Sequence, residues 1–351
     1  MTQRARVWTV AACSLLTIVV LAAILVPVPF LLRSPGPVFD LLGEADGEPV
    51  LEVSGTQTYP ATGELDLTTV AESGGPAGSL TSGAALLGWL SPTATLLYDS
   101  ERRDESDRQA DVAVFDASLS QAQAAAANYL DRPVSSEPVV VSVRAESPAD
   151  GVLEPKDEIV AVNDQRVSDG AQVAEAIRKQ PAGTKFTLSI VQNGEKATAE
   201  VVSELSPELD RPVIGVVVEN VYTTDFEAQL NLDGIGGPSA GTMLAVALVD
   251  KLTPEELIAG RHIAGTGTIS AEGQVGEIGG IQKKMLAAAG EGAQLFIAPE
   301  SNCGDVVGAV PDGLVVAAVK NLDDTITAIG DWQADRPVKG CPSAADQAER
   351  R

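Results

Sequence analysis

The chain reads Gly236-Gly237-Pro238-Ser239-Ala240-Gly241 immediately before an uncharged, mostly apolar run at residues 242–249. The run predicts a buried helix, so the serine stands at a helix start. Unpaired N–H groups and the helix dipole favour negative charge there. This position suits a nucleophile, and the same N–H groups could stabilise an oxyanion. Serine is also a common helix N-cap, so a purely structural role stays open.

A nucleophilic serine needs a nearby group that accepts its proton. The chain has one histidine, His262, but a buried lysine can also act as a neutral base because burial lowers its pKa. Residues 276–289 place two glycines before an amphipathic helix with Lys283 and Lys284 in its first turn. One face of this helix carries Ile281, Lys284, Met285 and Ala288. Lys284 therefore points with the apolar stripe, and we expect it, rather than Lys283, to be the base.

Two sequence blocks, in the correct order, resemble the proteolytic domain of the Lon proteases, which we place at residues 210–335. The family's Gly-Pro-Ser-Ala-Gly block matches residues 237–241, and its Gly-Gly-x-Lys-x-Lys block matches residues 279–284. The resemblance implies a serine endopeptidase with Ser239 as nucleophile and Lys284 as general base. It implies peptide hydrolysis through an acyl-enzyme, with no metal and no cofactor.

The chain departs from the Lon pattern at three positions. Gln282 replaces the first lysine of the second block, and Gly236 replaces an acidic residue often found three positions before the serine. Residues 266–269 resemble the family's Thr-Gly-Glu-Ile, with Thr268 in place of the glutamate. These changes leave the serine and the lysine in place, and the resemblance puts Thr266 beside the lysine as a supporting residue.

Other catalytic arrangements fit the sequence less well than the Ser–Lys dyad. A Ser–His–Asp triad would need His262 in a geometry that the sequence does not show, and we interpret His262 as a structural residue at a strand start. A signal-peptidase-like Ser–Lys enzyme is disfavoured because the serine block has the Lon pattern. Three cysteines and one histidine do not predict a zinc site.

The N-terminus predicts a membrane anchor. Residues 7–32 contain no charge, and about 20 apolar residues suffice to span a bilayer. Arg4 and Arg6 precede them, so the positive-inside rule makes residues 1–6 a cytoplasmic stub and places the remaining domains outside the cell membrane. A cleaved signal peptide is the alternative, but its apolar region would be shorter and would end in small residues.

Charge and cysteine content narrow the interpretation further. The formal charge of −25 disfavours nucleic acid as a partner, since phosphates would be repelled. Cys13 lies in the predicted anchor, whereas Cys303 and Cys341 would meet an oxidising compartment. A disulfide between these two would tie the C-terminal tail, residues 336–351, to the protease domain, and two free thiols are the alternative.

The region between anchor and protease divides in two. Residues 45–130 predict a small mixed α/β domain in which we find no chemistry. Residues 134–205 resemble a PDZ domain, with Ser147-Pro148-Ala149 and Leu153 followed by Asp157, Ile159, Val162 and Asn163 at the family's spacing. PDZ domains bind extended peptides beside a helix, here residues 170–180. The sequence does not identify the peptide-binding residues, and a spacer role is the alternative.

The order of these segments suggests one overall interpretation. No Gly-x-x-x-x-Gly-Lys-Ser/Thr loop occurs, so the sequence predicts no ATP site. The chain resembles bacterial membrane-anchored, ATP-independent peptidases of α+β multidomain architecture. We expect polypeptide substrates that are unfolded or extended, and the Lon resemblance implies a homo-hexamer. A non-catalytic envelope adapter that binds peptide tails through the PDZ domain is the alternative.

Overall fold

The computed structural model describes residues 22–45, 47–74, 80–91, 93–98, 105–232 and 235–342, together with positions 8, 14 and 17. The chain forms two compact units. Residues 1–130 and 226–351 make up the first, which we call the discontinuous unit. Residues 131–225 make up the second, which we call the inserted unit.

The elements are numbered along the chain. Up to residue 130 the described strands are β1 (Pro27–Val28), β2 (Phe30–Asp40), β3 (Glu44–Ala45), β4 (Glu48–Pro49), β5 (Leu51–Ser54), β6 (Glu64–Gly74), β7 (Leu80–Thr81) and β8 (Thr95–Tyr98). The helices of this part are α1 (Ser82–Leu90) and α2 (Glu105–Tyr129).

The inserted unit contains the strands β9 (Val134–Val143), β10 (Glu158–Val162), β11 (Gln165–Arg166), β12 (Lys185–Gln192), β13 (Glu195–Val202), β14 (Glu204–Ser206), β15 (Arg211–Val213) and β16 (Val216–Thr224), with helix α3 (Gly170–Arg178). The remainder of the chain contains β17 (Glu227–Leu230), α4 (Gly241–Leu252), β18 (His262–Gly265), β19 (Thr268–Ile269), β20 (Val275–Gly276), α5 (Ile281–Glu291), β21 (Leu295–Pro299), α6 (Cys303–Val306), β22 (Val315–Val319) and α7 (Leu322–Gln333).

A mixed sheet forms the centre of the discontinuous unit, with described strand order β22-β21-β18-β6-β2-β8. Strands β6, β18, β21 and β22 run parallel, and β2 pairs antiparallel with both β6 and β8. Helix α4 is buried on all sides, as its apolar composition requires, except at Lys251. Helix α5 packs against β2 and β6, which brings its first turn to the sheet.

The prediction of a separate mixed domain at residues 45–130 is corrected by this sheet. Strand β6 pairs in parallel with β18, from Glu64 opposite His262 to Leu67 opposite Gly265. The region therefore supplies strands to the same core as residues 226–342, and the unit begins well before residue 210. A parallel pairing between segments so distant in sequence leaves no local signal that a single sequence could show.

The predicted transmembrane helix, residues 7–32, lies mostly outside the described residues. Its last part differs from the prediction, because Pro27–Val28 is a strand and β2 begins at Phe30. Pro27 and Pro29 lack an N–H group and restrict φ, so they end a helix and suit an edge or turn. Within the described ranges no helix is long and apolar enough to cross a membrane.

The inserted unit is an antiparallel sheet of described order β13-β12-β10-β9-β16, with β11 beside β10. Its core includes Phe186, Leu188, Ile159 and Val140, and α3 buries Val173 and Ile177 against it. Strand β16 pairs with β9 along its whole length. The compact unit therefore extends past the boundary predicted at residue 205 and continues to residue 225.

Candidate active site

Ser239 lies in a single 3-10 turn, Pro238–Ala240, that leads directly into α4. Gly237 precedes the turn with φ of 82°, a left-handed conformation that favours glycine. The Ser118 hydroxyl on α2 donates a 3.2 Å hydrogen bond to the Pro238 carbonyl and supports the turn from outside. The serine therefore stands at the N-terminal end of a continuous helical stretch, where backbone N–H groups stabilise negative charge.

Lys284 reaches this serine from the first turn of α5. Its Nζ atom lies 2.6 Å from Ser239 Oγ, and the residue is only 3% exposed. Ile281, Met285 and Ala288 are buried on the same face, which is the face that the sequence periodicity predicts. The neighbouring Lys283 is half-buried and points away from this face. The structure thus brings together the two residues expected to form the dyad.

Thr266 joins the dyad at the end of β18. It is fully buried, and its Oγ1 accepts a 3.0 Å hydrogen bond from Lys284 Nζ. The same hydroxyl donates a 3.0 Å hydrogen bond to the carbonyl oxygen of Ser239. The Gly267 N–H donates to that carbonyl as well, at 2.9 Å. Thr266 therefore fixes the lysine amine and the serine backbone relative to each other.

Burial makes Lys284 a stronger candidate for a neutral base. Removal from water disfavours the ammonium form, and this desolvation lowers the pKa of Lys284 from 10.5 to about 8. At pH 7 about one tenth of such a lysine is neutral, compared with about one part in three thousand at the unperturbed pKa. The amine can therefore take the Ser239 proton at physiological pH.

The dyad opens into a cleft of about 670 Å³. Its apolar walls are formed by Pro37, Phe39, Leu67, Val70, Phe115 and Ile235. Strand β2 supplies Pro37 and Phe39, and strand β6 and helix α2, within the region in which the sequence showed no chemistry, supply Leu67, Val70 and Phe115. Sequence reasoning missed them because alternation alone marked β6 as a strand and did not place it beside Ser239.

His262 lies at the first position of β18 and bonds to acidic residues of β6. Its Nε2 atom is 2.6 Å from Asp66 Oδ2, and its Nδ1 atom is 3.3 Å from Glu64 Oε2. Desolvation raises the pKa of the buried Asp66, and the hydrogen bond to His262 opposes this shift. The pair thus satisfies a buried carboxyl group within the sheet, a structural arrangement.

The two cysteines outside the predicted anchor form a disulfide. Cys303 at the start of α6 is bonded to Cys341, with their Cα atoms 5.2 Å apart. The bridge holds the chain after α7 against the core beneath β21 and β22. Among the residues that the structure describes, no group of three His, Cys, Asp or Glu side chains could hold a metal ion.

The inserted unit has a groove of its own, of about 590 Å³. Helix α3 contributes Val173, Ala174 and Ile177 to one side, and the chain from Val213 to Val218 forms the other. Strand β16 is the outermost strand of the described sheet on this side. An apolar groove between a helix and an edge strand can accept an extended peptide as an additional strand.

Comparison with known families matches both units. Residues 234–329 match the Lon protease (S16) C-terminal proteolytic domain, and residues 119–202 match the PDZ domain. The chain carries a Lon-type serine peptidase domain and a PDZ domain. The first match contains Ser239, Thr266 and Lys284, which are the residues of the contact described above.

Curated relatives are Lon proteases, and each aligns with part of the chain. The Lon protease of Endomicrobium trichonymphae is 27% identical over 189 residues, which is 48% of this chain and 23% of that protein. The archaeal Lon protease of Methanothermobacter thermautotrophicus is 30% identical over 155 residues, 43% and 23% of the two chains. The chain therefore spans less than a quarter of the length of these relatives.

Several solved structures are similar to about a fifth of this chain. The PDZ domain of an SdrC-like protein from Listeria monocytogenes is 18% identical and covers 23% of this chain and 85% of its own, with a TM-score of 0.22. The HtrA-type protease AlgW with a decapeptide is 28% identical and covers 20% and 22% of the two chains, with a TM-score of 0.19.

Proposed function

We propose that this protein is an ATP-independent serine endopeptidase, anchored to the cell membrane, that cleaves unfolded or extended polypeptides outside it. The observation that carries the proposal is the 2.6 Å contact between Lys284 Nζ and Ser239 Oγ in a buried setting. The match to the Lon proteolytic domain over residues 234–329 supports it. The Lon resemblance also leads us to propose a homo-hexamer.

The chemistry begins with proton transfer between the two dyad residues. Neutral Lys284 removes the proton from Ser239 Oγ as that oxygen attacks the peptide carbonyl carbon. Backbone N–H groups at the start of α4 stabilise the oxyanion. The lysine ammonium then gives its proton to the leaving amine, which departs as the C–N bond breaks. Water, deprotonated by the same lysine, hydrolyses the acyl-enzyme and restores Ser239.

The cleft favours a substrate in extended form. Strand β18 ends at Gly265, opposite Leu67, whereas β6 continues to Gly74. Residues 69–71 line the cleft beyond that point. A polypeptide lying along them can pair with the β6 backbone while its side chains enter the apolar walls. A folded domain has its backbone already paired and does not meet this requirement, so substrates are unfolded or loosely structured.

The PDZ domain recruits or gates these substrates through the groove between α3 and β16. The proposed location outside the membrane rests on the uncharged residues 7–32 that follow Arg4 and Arg6. Our proposal of ATP independence is supported by that proposed location and by this sequence, in which we find no phosphate-binding Gly-x-x-x-x-Gly-Lys-Ser/Thr loop.

The test uses the full chain in detergent, incubated with unfolded casein and no ATP. A shortened protein that begins at residue 34 would lack the first part of β2, so the test keeps the N-terminal residues. We expect Ser239→Ala and Lys284→Ala to abolish cleavage, and Lys283→Ala, whose side chain points away from the dyad, to retain it. Equal cleavage by all four proteins would indicate a contaminant and refute the dyad. No cleavage by any would favour the adapter function.

A further inference from the structure

Helix α1 packs into the discontinuous unit through its smallest residues. A Cβ atom added to Gly83 would lie 2.4 Å from Ile24 Cγ2, and one added to Gly88 would lie 2.3 Å from Leu32 Cδ1. A side chain at either position would require Ile24 or Leu32 to move, so the helix approaches its neighbours closely on this face. The inward face of α1 is therefore made of glycine and alanine.

The outward face of α1 carries large apolar side chains. Leu86, Leu87, Trp89 and Leu90 are between 56% and 72% exposed. A surface helix of a soluble protein has the opposite arrangement, with its large apolar residues inward and polar residues outward. This face carries most of the apolar surface of the helix, and among the described residues no element covers it.

The exposed face continues into the segment that leads from the N-terminus. The Ser82 N–H donates a 2.8 Å hydrogen bond to the Val26 carbonyl, and β1 pairs with β7 just before α1 begins. Apolar side chains from this segment and from the neighbouring strands extend the surface. The apolar patch consists of Ile24, Leu25, Val26, Phe30, Leu86, Leu87, Trp89, Leu90 and Leu97.

The residues of the apolar patch come from two uncharged stretches of the sequence. Residues 7–32 and 73–98 contain no charged side chain, in a chain with a formal charge of −25. Charged residues flank both stretches, with Arg6 and Arg33 on either side of the first and Glu72 and Asp99 on either side of the second. Of these, Arg33 on β2 and Glu72 on β6 lie next to each other in the sheet. They are register partners, and Arg33 Nε donates a 2.9 Å hydrogen bond to Glu72 Oε1. The pair of charges therefore marks one border of the patch.

We propose that the apolar patch inserts into the outer interfacial layer of a lipid bilayer, with α1 lying in the membrane plane. The patch is continuous with the uncharged N-terminal segment, and none of its nine side chains carries a charge with which a protein partner could pair. Interfacial helices bury leucine and tryptophan side chains at the boundary between headgroups and acyl chains, as Leu87 and Trp89 would. This inference rests on the proposed membrane location.

Insertion of the patch would hold the active-site cleft near the lipid. Strand β2 carries Leu32 against α1 and Pro37 in the wall of the cleft. Five residues of extended chain span about 17 Å. The enzyme would then act on extended polypeptide segments close to the membrane surface, and the patch would set that distance.

The test uses tryptophan fluorescence of the full chain in phosphatidylcholine vesicles. Replacing Trp8 and Trp332 with phenylalanine leaves Trp89 alone, and a matched protein keeps Trp332 alone, which lies against Arg261. In vesicles with brominated acyl chains, Trp89 should lose most of its emission, whereas Trp332 should keep its own. Leu87→Glu should restore much of the Trp89 emission, and Val310→Glu, at another exposed apolar site, should not.

Two results would overturn the proposal. Trp89 that keeps its emission in brominated vesicles but is quenched by aqueous iodide faces water. Trp89 protected from both quenchers is covered by protein, as it would be at a contact with a second copy of the chain. Casein cleavage is measured in the same samples. Loss of lipid contact with intact cleavage refutes the patch alone, and absent cleavage with strong bromine quenching refutes the proposed function alone.

Discussion

The Nζ atom of Lys284 lies 2.6 Å from the Oγ atom of Ser239, and the two come from the starts of different helices. Helix α4 directs its positive end toward the serine, and α5 brings an amine from a buried face. Burial is the physical cause that lowers the pKa of Lys284 to about 8. The dyad therefore has a titration that can be measured.

We expect activity to rise with pH and to level off above about 8. Below that pKa, Lys284 is protonated and cannot accept the serine proton, so kcat/KM should increase about tenfold per pH unit. Above it the base is neutral and the rate no longer depends on this group. The measurement is kcat/KM for a quenched-fluorescence peptide between pH 5.5 and 10. A flat profile across pH 7 to 9 would contradict the assignment of Lys284 as base.

Lys284→Met should stabilise the fold at pH 7 while abolishing activity. Lowering the lysine pKa from 10.5 to about 8 corresponds to a folding penalty of about 3 kcal/mol. The penalty is fully present below pH 8 and disappears as pH rises from 8 to 10.5, where only the unfolded state holds the proton. The substitution also removes the two hydrogen bonds of the lysine amine, which stabilise the fold by about 1 kcal/mol each. The free energy of unfolding should therefore rise by about 1 kcal/mol. Urea unfolding at pH 7 measures this change in the free energy of unfolding. A clear destabilisation of the Lys284→Met protein would contradict the burial penalty.

Thr266→Val should lower kcat by about 10-fold to 100-fold, because one hydroxyl holds both the lysine amine and the Ser239 carbonyl. The hydrogen bond from Lys284 favours its charged form, so losing the acceptor should also move the acid limb of the pH profile to lower pH. Thr266→Ser keeps the hydroxyl and should restore both values. If Thr266→Val leaves the pH profile of activity unchanged, Thr266 has only a packing role.

His262→Ala should weaken the fold and leave the chemistry intact. The substitution removes the hydrogen-bond partner of buried Asp66, which costs about 1 to 3 kcal/mol. The free energy of unfolding should therefore fall, whereas kcat per folded enzyme should change little. Active-site titration with a serine-reactive phosphonate counts the folded enzyme. A loss of kcat comparable to that of Ser239→Ala would instead support a histidine-based triad.

The sequence predicts the dyad because both of its signals are local. A serine between glycines before an apolar run, and a lysine on the apolar stripe of a short helix, each occupy fewer than about 15 residues, within the reach of helical periodicity. The same reasoning places the start of β18 at His262. These positions can be predicted without knowing how the helices and strands pack together.

The walls of the cleft could not be predicted, because they depend on pairing between distant segments. Leu67 reaches the site through the parallel contact of β6 with β18, and Phe115 through the packing of α2 on α4. Strand β16 was missed for the same reason, since its partner β9 lies more than 70 residues earlier. Side-chain alternation identifies such strands without naming their neighbours.

The groove between α3 and β16 leads to a prediction about substrate length. Ala174 lines this groove, and a tryptophan there would fill much of the space that an added peptide strand needs. We expect Ala174→Trp to raise KM for casein while leaving kcat and KM for a short quenched peptide unchanged. Ala171→Trp, on the same helix but outside the groove, is the matched control. If both variants cleave casein like the wild type, the PDZ domain does not recruit substrate through this groove and serves as a spacer.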